Sequence, residues 1–388
     1  MNKKSLKKIN NAKISKYSVV LLRINADVPL DKKGKIVDDS RIKDALVTIN
    51  FLMKKGARIV ILNKLGRPEG KKVKKLSNIV VAKRLEKLIG TKVRFSSDLV
   101  SSKVVEMVSK LKPGEILMTE NARFWNEEGE NNLEFAKKIA SYGDVYVNEA
   151  FSVCHRREAT VVALSTLLPS CAGFSLLKEV SELDKVLKNK AKPKIAIIGG
   201  AKIDTKVNLI KNLSKRVDVI LLGGAIANAV MAARGYNLGL STPTEKELLA
   251  AKAVMSKKLI CPIDVVVASS LKAQGREVLL DKVKANEYIY DLGQKTIKEY
   301  TKIISSAKMI VWNGPVGLFE KKQFKKGTVK IAQAVAKSKA YSVCGGGETL
   351  LALKENKVTN KINFMSMAGG AMLSYLADEA MPGLENLY

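Results

Sequence analysis

Short apolar runs recur along the whole chain and alternate with stretches that have helical periodicity. The runs are rich in Val, Ile and Leu, and the stretches between them repeat apolar residues every three or four positions. This alternation predicts βα units around parallel sheets that are covered by helices on both faces. The predicted strands are Tyr17–Leu22, Ala57–Leu62, Glu115–Met118, Asp144–Val147, Lys194–Ile198, Val217–Leu222, Ile263–Ala268, Met309–Trp312 and Ala340–Cys344, and the predicted helices include Ser40–Lys55, Ile79–Ile89, Asn132–Ser141, Asp204–Leu213 and Gly327–Lys337.

A chain of 388 residues is too long for a single core, so two domains are predicted. The stretch Lys178–Pro193 has the pattern of a helix followed by a proline-containing joint, and we place the domain boundary there. The longest uncharged stretch, Thr160–Leu177, contains Pro169 and Gly173, so we expect it to be buried protein and not a membrane span. The first ten residues are basic without a following apolar run, so no signal peptide is predicted.

The composition is that of a globular protein with a large basic excess. Apolar residues make up 46% and charged residues 27% of the chain, which excludes wholesale disorder. Lysine and arginine total 68 against 37 acidic residues, a formal charge of +31, and the first hundred residues hold 26 basic and 8 acidic ones. Clustered cations favour nucleic acid as a partner, but aromatic residues are only 5% and do not alternate with the cations. We therefore interpret the charge mainly as a field that attracts small anions.

The predicted strands of the first half run into cationic and polar residues. Ligands of open α/β sheets bind beyond the carboxyl ends of the strands, so these residues are candidates for a binding site. The planar guanidinium group of arginine matches carboxylate and phosphate oxygens, and a converging set predicts a site for a small, multiply anionic molecule. The segments are Arg23–Asp27, Asn63–Pro68, Glu120–Arg123 and Asn148–Arg156, joined by Arg41 at the head of a helix that follows the predicted N-cap cluster 38–40.

The predicted strands of the second half run into glycines. Glycine lets the backbone approach a ligand closely, and a glycine turn that opens a helix can direct N–H groups at phosphates. Several such turns on one sheet predict a nucleotide site, although neither a P-loop nor a dinucleotide fingerprint is present. The segments are Gly199–Lys206, Gly223–Ala225, Asn313–Glu320, Gly345–Thr349 and Ala368–Ala371.

Few residues suit other kinds of chemistry. The four cysteines, at positions 154, 171, 261 and 344, form no C-x-x-C pair, which favours a reduced protein without structural zinc. The single histidine, His155, is a possible base but is better explained as a residue that holds its loop by hydrogen bonding. The combination of an anion site and a nucleotide site, predicted to face each other across a cleft, therefore indicates phosphoryl transfer, which depends on positioning and charge neutralisation.

Several long motifs, in the right order, make the chain similar to the phosphoglycerate kinase family over essentially its whole length. The resemblance implies an α/β fold of two Rossmann-like domains with parallel sheets, joined by a hinge helix whose closure brings two ligands together. It implies a 3-phosphoglycerate-binding domain at 1–177, an interdomain helix and linker at 178–193, a nucleotide-binding domain at 194–366, and a tail from about 367 to 388 that packs back on the first domain. The motifs are Arg23–Leu30, Asp39–Ile42, Leu65–Pro68, Glu120–Phe124, Asn148–Phe151, His155–Arg156, Gly199–Lys202, Trp312–Glu320, Gly345–Thr349 and Met381–Gly383.

The resemblance also assigns roles to individual residues. It implies that Arg41 orients the substrate carboxylate and stabilises the phosphoryl group in flight, that Lys202 neutralises nucleotide phosphates, that Lys206 follows the transferred group, and that Glu348 lies near Mg²⁺. The implied substrate-binding residues are Arg23, Asn25, Asp27, Arg41, Lys64, Leu65, Gly66, Arg67, Arg123 and Arg156, and the implied nucleotide-binding residues are Gly199, Gly200, Lys202, Lys206, Gly223, Gly224, Asn313, Glu320, Gly346, Gly347, Glu348 and Thr349.

Departures from the family pattern occur at a few of these positions. Asn25 and Asp27 exchange the usual acid and amide, so we expect a rearranged but usable hydrogen-bond pair. Lys64 replaces the usual histidine, which keeps a cation but loses a pH-dependent one. The segments Phe151–His155 and Ser366–Gly370 are also altered, the second of which bears on domain closure, and Ala225 replaces a glycine. Because the principal arginines and lysines remain, we expect an active enzyme.

The resemblance implies ATP or ADP with Mg²⁺ as cofactor, small-molecule substrates, no membrane association, a cytoplasmic monomer and a place in glycolysis and gluconeogenesis. The alternative hypothesis is a degenerate or moonlighting basic paralogue that binds nucleic acid without kinase activity. The +31 charge and the altered Ser366–Gly370 segment motivate that alternative. A third reading, a different anionic acceptor, depends only on Asn25, Asp27 and Lys64.

Overall fold

The computed structural model describes residues 5–388, which divide into two α/β units. The first unit contains the chain up to Ser181 together with Ala380–Tyr388, and the second contains Glu182–Glu379. Residues 1–4, part of the basic segment for which no signal peptide was predicted, lie outside the described residues.

The first unit is built on a six-stranded parallel sheet with strand order β3-β4-β2-β1-β5-β6. Every residue of the central strand β1 is buried, because one apolar cluster covers each face of the sheet. Its strands are β1 (Val19–Arg23), β2 (Arg58–Leu62), β3 (Val93–Phe95), β4 (Ile116–Met118), β5 (Val145–Asn148) and β6 (Ser170–Ala172), and its helices are α1 (Ser40–Lys54), α2 (Ile79–Ile89), α3 (Ser102–Ser109), α4 (Asn126–Gly129), α5 (Leu133–Ala140), α6 (Ala163–Leu167) and the first part of α7 (Phe174–Lys188).

The second unit contains a six-stranded parallel sheet of order β15-β14-β13-β7-β8-β9 and a three-stranded antiparallel sheet of order β11-β10-β12. Its strands are β7 (Lys194–Ile198), β8 (Val219–Leu222), β9 (Leu259–Ile260), β10 (Asp264–Ala268), β11 (Arg276–Leu279), β12 (Tyr288–Leu292), β13 (Met309–Asn313), β14 (Tyr341–Gly345) and β15 (Phe364–Ser366), and its helices are α8 (Val207–Ser214), α9 (Gly224–Ala233), α10 (Glu245–Lys252), α11 (Gln294–Ser306), α12 (Lys326–Lys337), α13 (Gly347–Glu355) and α14 (Gly370–Leu376).

The α/β class and the parallel sheets predicted from the sequence are confirmed, and each predicted strand is present within two residues of its predicted start. The prediction was wrong for the run at 263–268, which forms β10 of the antiparallel sheet. A buried apolar run has the same composition in either kind of sheet, so its partners decide its direction. The predicted N-cap role of the cluster 38–40 differs in the structure. Asp39 directly precedes α1, but its side chain pairs with Lys43 and Arg84 and makes no capping hydrogen bond.

Helix α7 crosses the division between the units, which falls after Ser181. The chain then returns to the first unit through residues 380–388, which contain α15 (Pro382–Glu385). The family resemblance implies a tail that starts earlier, at about 367. The returning segment is hydrogen bonded: the N–H of Gly383 donates to the carbonyl of Cys154 at 2.9 Å, and the N–H of Lys7 donates to the carbonyl of Leu387 at 2.6 Å.

Short 3-10 helices fill several of the connections between these elements. All four cysteines are buried with free thiols. Among residues 5–388, no helix has both the length and the apolar character required to cross a bilayer. The 3-10 helices are Ile9–Asn11, Lys74–Leu76, Ala122–Phe124, Phe151–Val153, Asp204–Lys206, Gly239–Ser241, Leu280–Lys282, Lys322–Phe324 and Thr359–Lys361.

Candidate active site

The parallel register of the first unit brings the predicted cationic segments to one edge of its sheet. Arg23, the last residue of β1, lies opposite Leu62 of β2 and Asn148 of β5, so the residues that follow these strands emerge together. We call the group that they form, with Arg41 of α1 and Arg123 beyond β4, the cationic edge. Its members are Arg23, Asn25, Asp27, Arg41, Lys64, Arg67, Arg123 and Arg156.

Asp27 is the centre of the hydrogen bonding at the cationic edge. Its carboxylate pairs with the ammonium of Lys64 and accepts the N–H of Gly66 at 2.8 Å. Arg41 donates from Nη1 to the backbone carbonyl of Asp27 at 2.6 Å and lies 3.8 Å from its Oδ2. The exchanged acid is therefore used to hold a lysine and an arginine side by side.

The pKa values of Asp27 and Lys64 both differ from those of the free side chains. Burial would raise the pKa of Asp27, but Lys64, the N–H of Gly66 and Arg41 together lower it. Burial lowers the pKa of Lys64 to about 8, against the opposing effect of Asp27. Asn25 is half-buried, and its Oδ1 has no hydrogen-bond partner among residues 5–388, which leaves an acceptor at the edge.

Arg23 lies beneath the cationic edge and is fully buried. Its Nε donates to the Thr160 hydroxyl at 2.8 Å, and its guanidinium lies 3.5 Å from Glu158 and 3.9 Å from Glu128. Arg123 pairs with the other oxygen of Glu158 and donates to the carbonyl of Gly66 at 2.9 Å. Burial would raise the pKa of Glu158, but the two arginines lower it. The structure thus gives Arg23 a buried supporting position, whereas Arg123 reaches the same edge as Gly66.

Buried asparagines hold the loops of the edge, and the sequence reasoning did not assign them this role. Asn63 accepts the N–H of Ala26 at 2.9 Å and donates to Asn78 at 2.9 Å. Asn121 accepts the N–H of Leu65 at 3.1 Å and donates to the carbonyl of the same residue at 2.7 Å. The available signal was an asparagine directly after a predicted strand at 63 and another three residues after a predicted strand at 121.

In the second unit, three strand-end turns pack backbone against backbone. The N–H of Gly199 donates to the carbonyl of Asn313 at 3.0 Å, and the N–H of Gly200 donates to that of Pro315 at 2.9 Å. A Cβ at position 199 would overlap the carbonyl oxygen of Pro315, so only glycine fits there. Gly223 and Gly224 also donate to carbonyls, those of Ile198 and Val316. These amides, expected to be free for phosphates, instead hold the turns together.

Lys206 is buried against the carbonyl ends of two strands. Its Nζ donates to the carbonyl of Gly199 at 2.6 Å and lies 3.5 Å from that of Asn313. Burial lowers the pKa of Lys206 to about 8, and Glu348 opposes this shift. An ammonium group that contacts neutral carbonyls forms a stronger hydrogen bond with a phosphate, because the phosphate oxygen carries a negative charge.

Helix α13 begins beside these turns. Its first-turn N–H groups, from Gly347 to Thr349, have no intrahelical acceptors and form an anion-binding end. The hydroxyl of Thr349 accepts the N–H of Gly314 at 2.7 Å, and Asn313 donates to the carbonyl of Gly345 at 2.9 Å. Asn313 and Thr349 therefore join the β13 turn to the start of α13.

A cavity of about 450 Å³ opens at this edge of the second unit. This volume lies in the usual range for small-molecule pockets. We call it the nucleotide cavity, after the ligand class that the sequence predicts for this edge. Its lining includes four residues that were predicted individually: Gly200, Gly224, Glu320 and Glu348. Five more lie within the predicted glycine segments: Ala201, Ala225, Pro315, Gly317 and Leu318. The other seven were not predicted: Asn228, Ser241, Thr242, Pro243, Glu247, Ile289 and Tyr290.

The predicted residues differ in how far they are exposed. Exposed positions are open to ligands as they stand, and many of the buried positions hold neighbouring side chains or backbone in place. Arg67, Arg156, Lys202, Glu320, Gly347 and Glu348 are exposed; Asn25, Asp27, Arg41, Gly66, Arg123, Gly200, Gly224 and Gly346 are half-buried; and Arg23, Lys64, Leu65, Gly199, Lys206, Gly223, Asn313 and Thr349 are buried.

Carboxylates are sparse around the nucleotide cavity. Glu247, Glu320 and Glu348 line it. Within the part of the chain that the structure describes, no group of three His, Cys, Asp or Glu side chains is arranged to hold a metal ion by itself. This donor set suits an ion that arrives with phosphates, because Mg²⁺ commonly takes one or two carboxylates, substrate phosphates and water.

Comparisons with known proteins agree with this geometry. Residues 9–379 match the family model described as phosphoglycerate kinase. The phosphoglycerate kinase of Thermomicrobium roseum is 39% identical over 373 residues, covering 94% of this chain and 95% of the relative. That of Coxiella burnetii is 40% identical over 377 residues, covering 95% of both chains.

Solved structures give the same result. The phosphoglycerate kinase structure from Coxiella burnetii aligns with a TM-score of 0.88 at 38% identity, covering 99% of both chains. The structure of phosphoglycerate kinase from Pyrococcus horikoshii aligns with a TM-score of 0.87 at 31% identity, covering 98% of both chains. The similarity therefore extends over both units.

Proposed function

The chain belongs to the phosphoglycerate kinase family, and we propose that its first unit binds 3-phosphoglycerate and its second unit binds ATP or ADP. The enzyme is a phosphotransferase with a carboxyl group as acceptor, and it interconverts 1,3-bisphosphoglycerate and ADP with 3-phosphoglycerate and ATP. The observation that carries the assignment of substrates is the contrast between the two strand edges: charged side chains in the first unit, and glycine turns around a cavity in the second.

On the acid side, Arg41, Arg123 and Arg156 supply guanidinium groups for the carboxylate and phosphate of 3-phosphoglycerate. Asp27 holds Arg41 and Lys64 in place, and the free acceptor of Asn25 suits the substrate hydroxyl. Arg23, Leu65 and Gly66 act from beneath by fixing the loops. Arg67 adds positive charge at an exposed position.

On the nucleotide side, the cavity receives the base and ribose, and the phosphates extend towards Lys202, Lys206 and the start of α13. The N–H groups of Gly347 and Thr349 suit phosphate oxygens, and Lys206 exchanges neutral carbonyl partners for an anionic one. Asn313 and Thr349 hold these elements together, and Gly199, Gly223 and Gly224 keep the turns close.

Glu348, together with Glu320, suits a Mg²⁺ ion that enters with the nucleotide. When bound, the ion neutralises charge on the phosphate oxygens. The chain's own contribution is positioning and electrostatic stabilisation: Arg41 and Lys206 bind the oxygens of the phosphoryl group while it moves directly between the acid and the nucleotide. We propose that a hinge closure of the two units excludes water during this step.

The remaining attributes follow from the same assignment. We propose a monomer that acts in the cytoplasm, with no membrane partner and nucleic acid as at most a nonspecific partner of its +31 charge. Salt-titrated RNA binding measured with the substrate sites filled tests the last point. Specific binding that survives physiological salt and full occupancy would contradict it.

A coupled assay of ADP formation from 3-phosphoglycerate and Mg-ATP tests the function directly. The wild-type chain is expected to form ADP only when 3-phosphoglycerate is present. Arg216→Ala, an exposed substitution outside the assigned site residues, serves as the control and should retain the activity. Absence of ADP formation by a folded wild-type protein would contradict the proposal.

A further inference from the structure

Behind the nucleotide cavity lies a buried carboxyl group that the mechanism above does not use. Asp291, near the end of β12, is 3% exposed. Its Oδ2 accepts the N–H of Gly327, in the first turn of α12, at 2.8 Å. Its Oδ1 has no hydrogen-bond partner among residues 5–388. A buried carboxylate oxygen without a partner is uncommon in native proteins and requires an explanation.

Asp291 contacts the wall of the nucleotide cavity. A Cβ at Gly317 or at Gly327 would overlap its Oδ1, so both backbones lie directly against the carboxyl group. Gly317 belongs to the segment 315–320, which lines the cavity through Pro315, Leu318 and Glu320. The N–H of Leu318 donates to the carbonyl of Tyr290 at 2.8 Å, so β12 and this wall are joined at two adjacent residues.

A second cavity, of about 10 Å³, is lined in part by Asp291. This volume is about that needed for one water molecule. Its polar side chains are those of Asp291 and Asn228, and the rest of its lining is mainly apolar. Asn228 of α9 also lines the nucleotide cavity, so this one residue borders both the small cavity and the nucleotide cavity.

We propose that Asp291 is a positioning residue for nucleotide binding: with Asn228 it binds one water molecule in the small cavity and thereby fixes the Pro315–Glu320 wall of the nucleotide cavity. The water supplies the missing partner of Oδ1 and connects β12 with α9 across the space between them. The proposal rests on the proposed function only in identifying the large cavity as the nucleotide site.

The charge of this carboxyl group is set by its surroundings. Burial raises the pKa of Asp291 to about 7; the N–H groups of Gly327 and Leu292 and the charge of Lys326 on α12 oppose this shift, and Glu277 on β11 adds to it. On β10, the carboxylate of Asp264 is occupied by the N–H groups of Lys295 and Thr296. Helix α9 contributes no titratable side chain. The carboxyl group therefore gains or loses its proton near neutral pH. It can donate a hydrogen bond to the water when protonated and only accepts one when ionised.

The first test measures ADP binding to the purified full-length chain by calorimetry. Asp291→Ala removes the acceptor for Gly327 and the water ligand, and we expect the Kd for ADP to rise roughly tenfold, the scale of one buried hydrogen-bond group. The KM for 3-phosphoglycerate should stay unchanged, because that substrate is assigned to the first unit. An unchanged Kd in a folded variant, or an equal change in both constants, would overturn the proposal.

Asp291→Asn keeps the shape and an acceptor but cannot titrate. The ratio of the wild-type Kd for ADP to that of the Asn variant is expected to change through an inflection near pH 7, because the phosphates of ADP and the Lys206 ammonium titrate alike in both proteins. A ratio that stays constant with pH would overturn the role of Asp291. This measurement also serves if Asp291→Ala does not fold.

Ala227→Val isolates the water. Ala227 lines the small cavity and not the nucleotide cavity, so the added methyl groups displace the water without contacting the ligand. The Kd for ADP should rise severalfold, whereas Ala229→Val, on the same helix and in neither lining, should leave it unchanged. A high-resolution crystal structure should show the water beside Oδ1, and an empty cavity would overturn the proposal.

These outcomes separate the two proposals. If the wild-type chain binds no ADP, the proposed function fails. If the wild-type chain binds ADP and the variants bind it equally well, only the positioning role of Asp291 fails.

Discussion

The two strand edges of this molecule present different kinds of groups to anions. At the edge of the first unit, the groups are side chains: Asp27 holds Lys64 and Arg41, and Arg123 is held by Glu158. At the edge of the second unit, the groups are mainly backbone: Gly199 and Gly200 hydrogen bond to the β13 turn, and α13 presents its first N–H groups.

Under the proposed function, the difference reflects which ligand each edge has to recognise. A small acid offers charge at two ends, and separate cations held at fixed positions can recognise both. A nucleotide offers a large apolar base and a chain of phosphates, which need space and close backbone approach. We therefore expect the first edge to be sensitive to loss of charge and the second to be sensitive to added volume.

The largest expected effect comes from removing a cation of the first edge. Arg41→Ala removes a cation that is assigned to the phosphoryl group in flight, and turnover should fall on the order of 10³-fold, as for a lost transition-state arginine. Arg94→Ala is the matched control, since Arg94 is an ion-paired arginine of the same unit outside the edge. Steady-state kinetics decide the matter, and a loss below tenfold would remove Arg41 from this role.

The second prediction breaks the other edge without changing any charge. In Gly199→Ala the new Cβ would overlap the carbonyl oxygen of Pro315, and the turn must shift. We expect a loss of about 2–4 kcal/mol of unfolding free energy and weaker ADP binding, measured by denaturation and calorimetry. Gly129→Ala, where no atom lies within 4 Å, is the control and should change little. Normal stability and ADP binding in Gly199→Ala would refute the close-packing explanation.

A third experiment tests the charge of the first edge through the pH dependence of substrate binding. Burial lowers the pKa of Lys64 to about 8, so its positive charge is lost as pH rises through that value. The KM for 3-phosphoglycerate should therefore rise above pH 8, and Lys64→Met should raise it roughly tenfold at neutral pH, about 1.4 kcal/mol. Lys64→Arg stays charged and should give a flatter profile. An equal rise in wild type and Lys64→Arg would show that another group titrates.

The smallest effect concerns a carboxyl group that supports the first unit without belonging to its edge. Glu149, after β5, accepts the Thr48 hydroxyl at 2.7 Å and the N–H of Ser175 at 3.0 Å, and burial raises its pKa to about 7. A raised pKa means that its contribution to stability is present below about pH 4.5, the usual Glu value, and is lost as pH rises through about 7.

Glu149→Gln keeps the acceptor and cannot titrate. Relative to wild type it should therefore gain stability between pH 5 and 8, by about 1 kcal/mol or more. Thermal unfolding at several pH values measures the difference, with the exposed Glu130→Gln as control. A constant offset across this range would exclude titration of Glu149 in the folded state.

The sequence predicted most of the longer strands because their runs of consecutive apolar residues leave few alternatives in a chain of this composition. It missed β3, β6, β9 and β15, which have only two or three residues each and give no pattern to detect. It also missed the antiparallel sheet, because β11 is largely exposed and its pairing with β10 is not encoded in local hydrophobicity.

The site was predictable in its residue types and less so in its contacts. Arginines and glycines after successive strands could be found from position alone, since parallel strands end at one edge. The pairing of Asp27 with Lys64, the burial of Arg23 and the carbonyl partners of Lys206 depend on residues distant in sequence. The lining residue Asn228 lies within an apolar helix, where nothing in the local sequence marks it as functional.

The return of residues 380–388 to the first unit sets an order of assembly. During synthesis the first unit's strands emerge early, yet the backbone partners of Cys154 and Lys7 at positions 383 and 387 are made only after the entire second unit. Translation at ~5–20 residues per second makes this a delay of roughly ten seconds or more. A nascent first unit must therefore wait, incomplete, for its closing segment, and a ribosome that stops early releases a protein whose first unit lacks that segment.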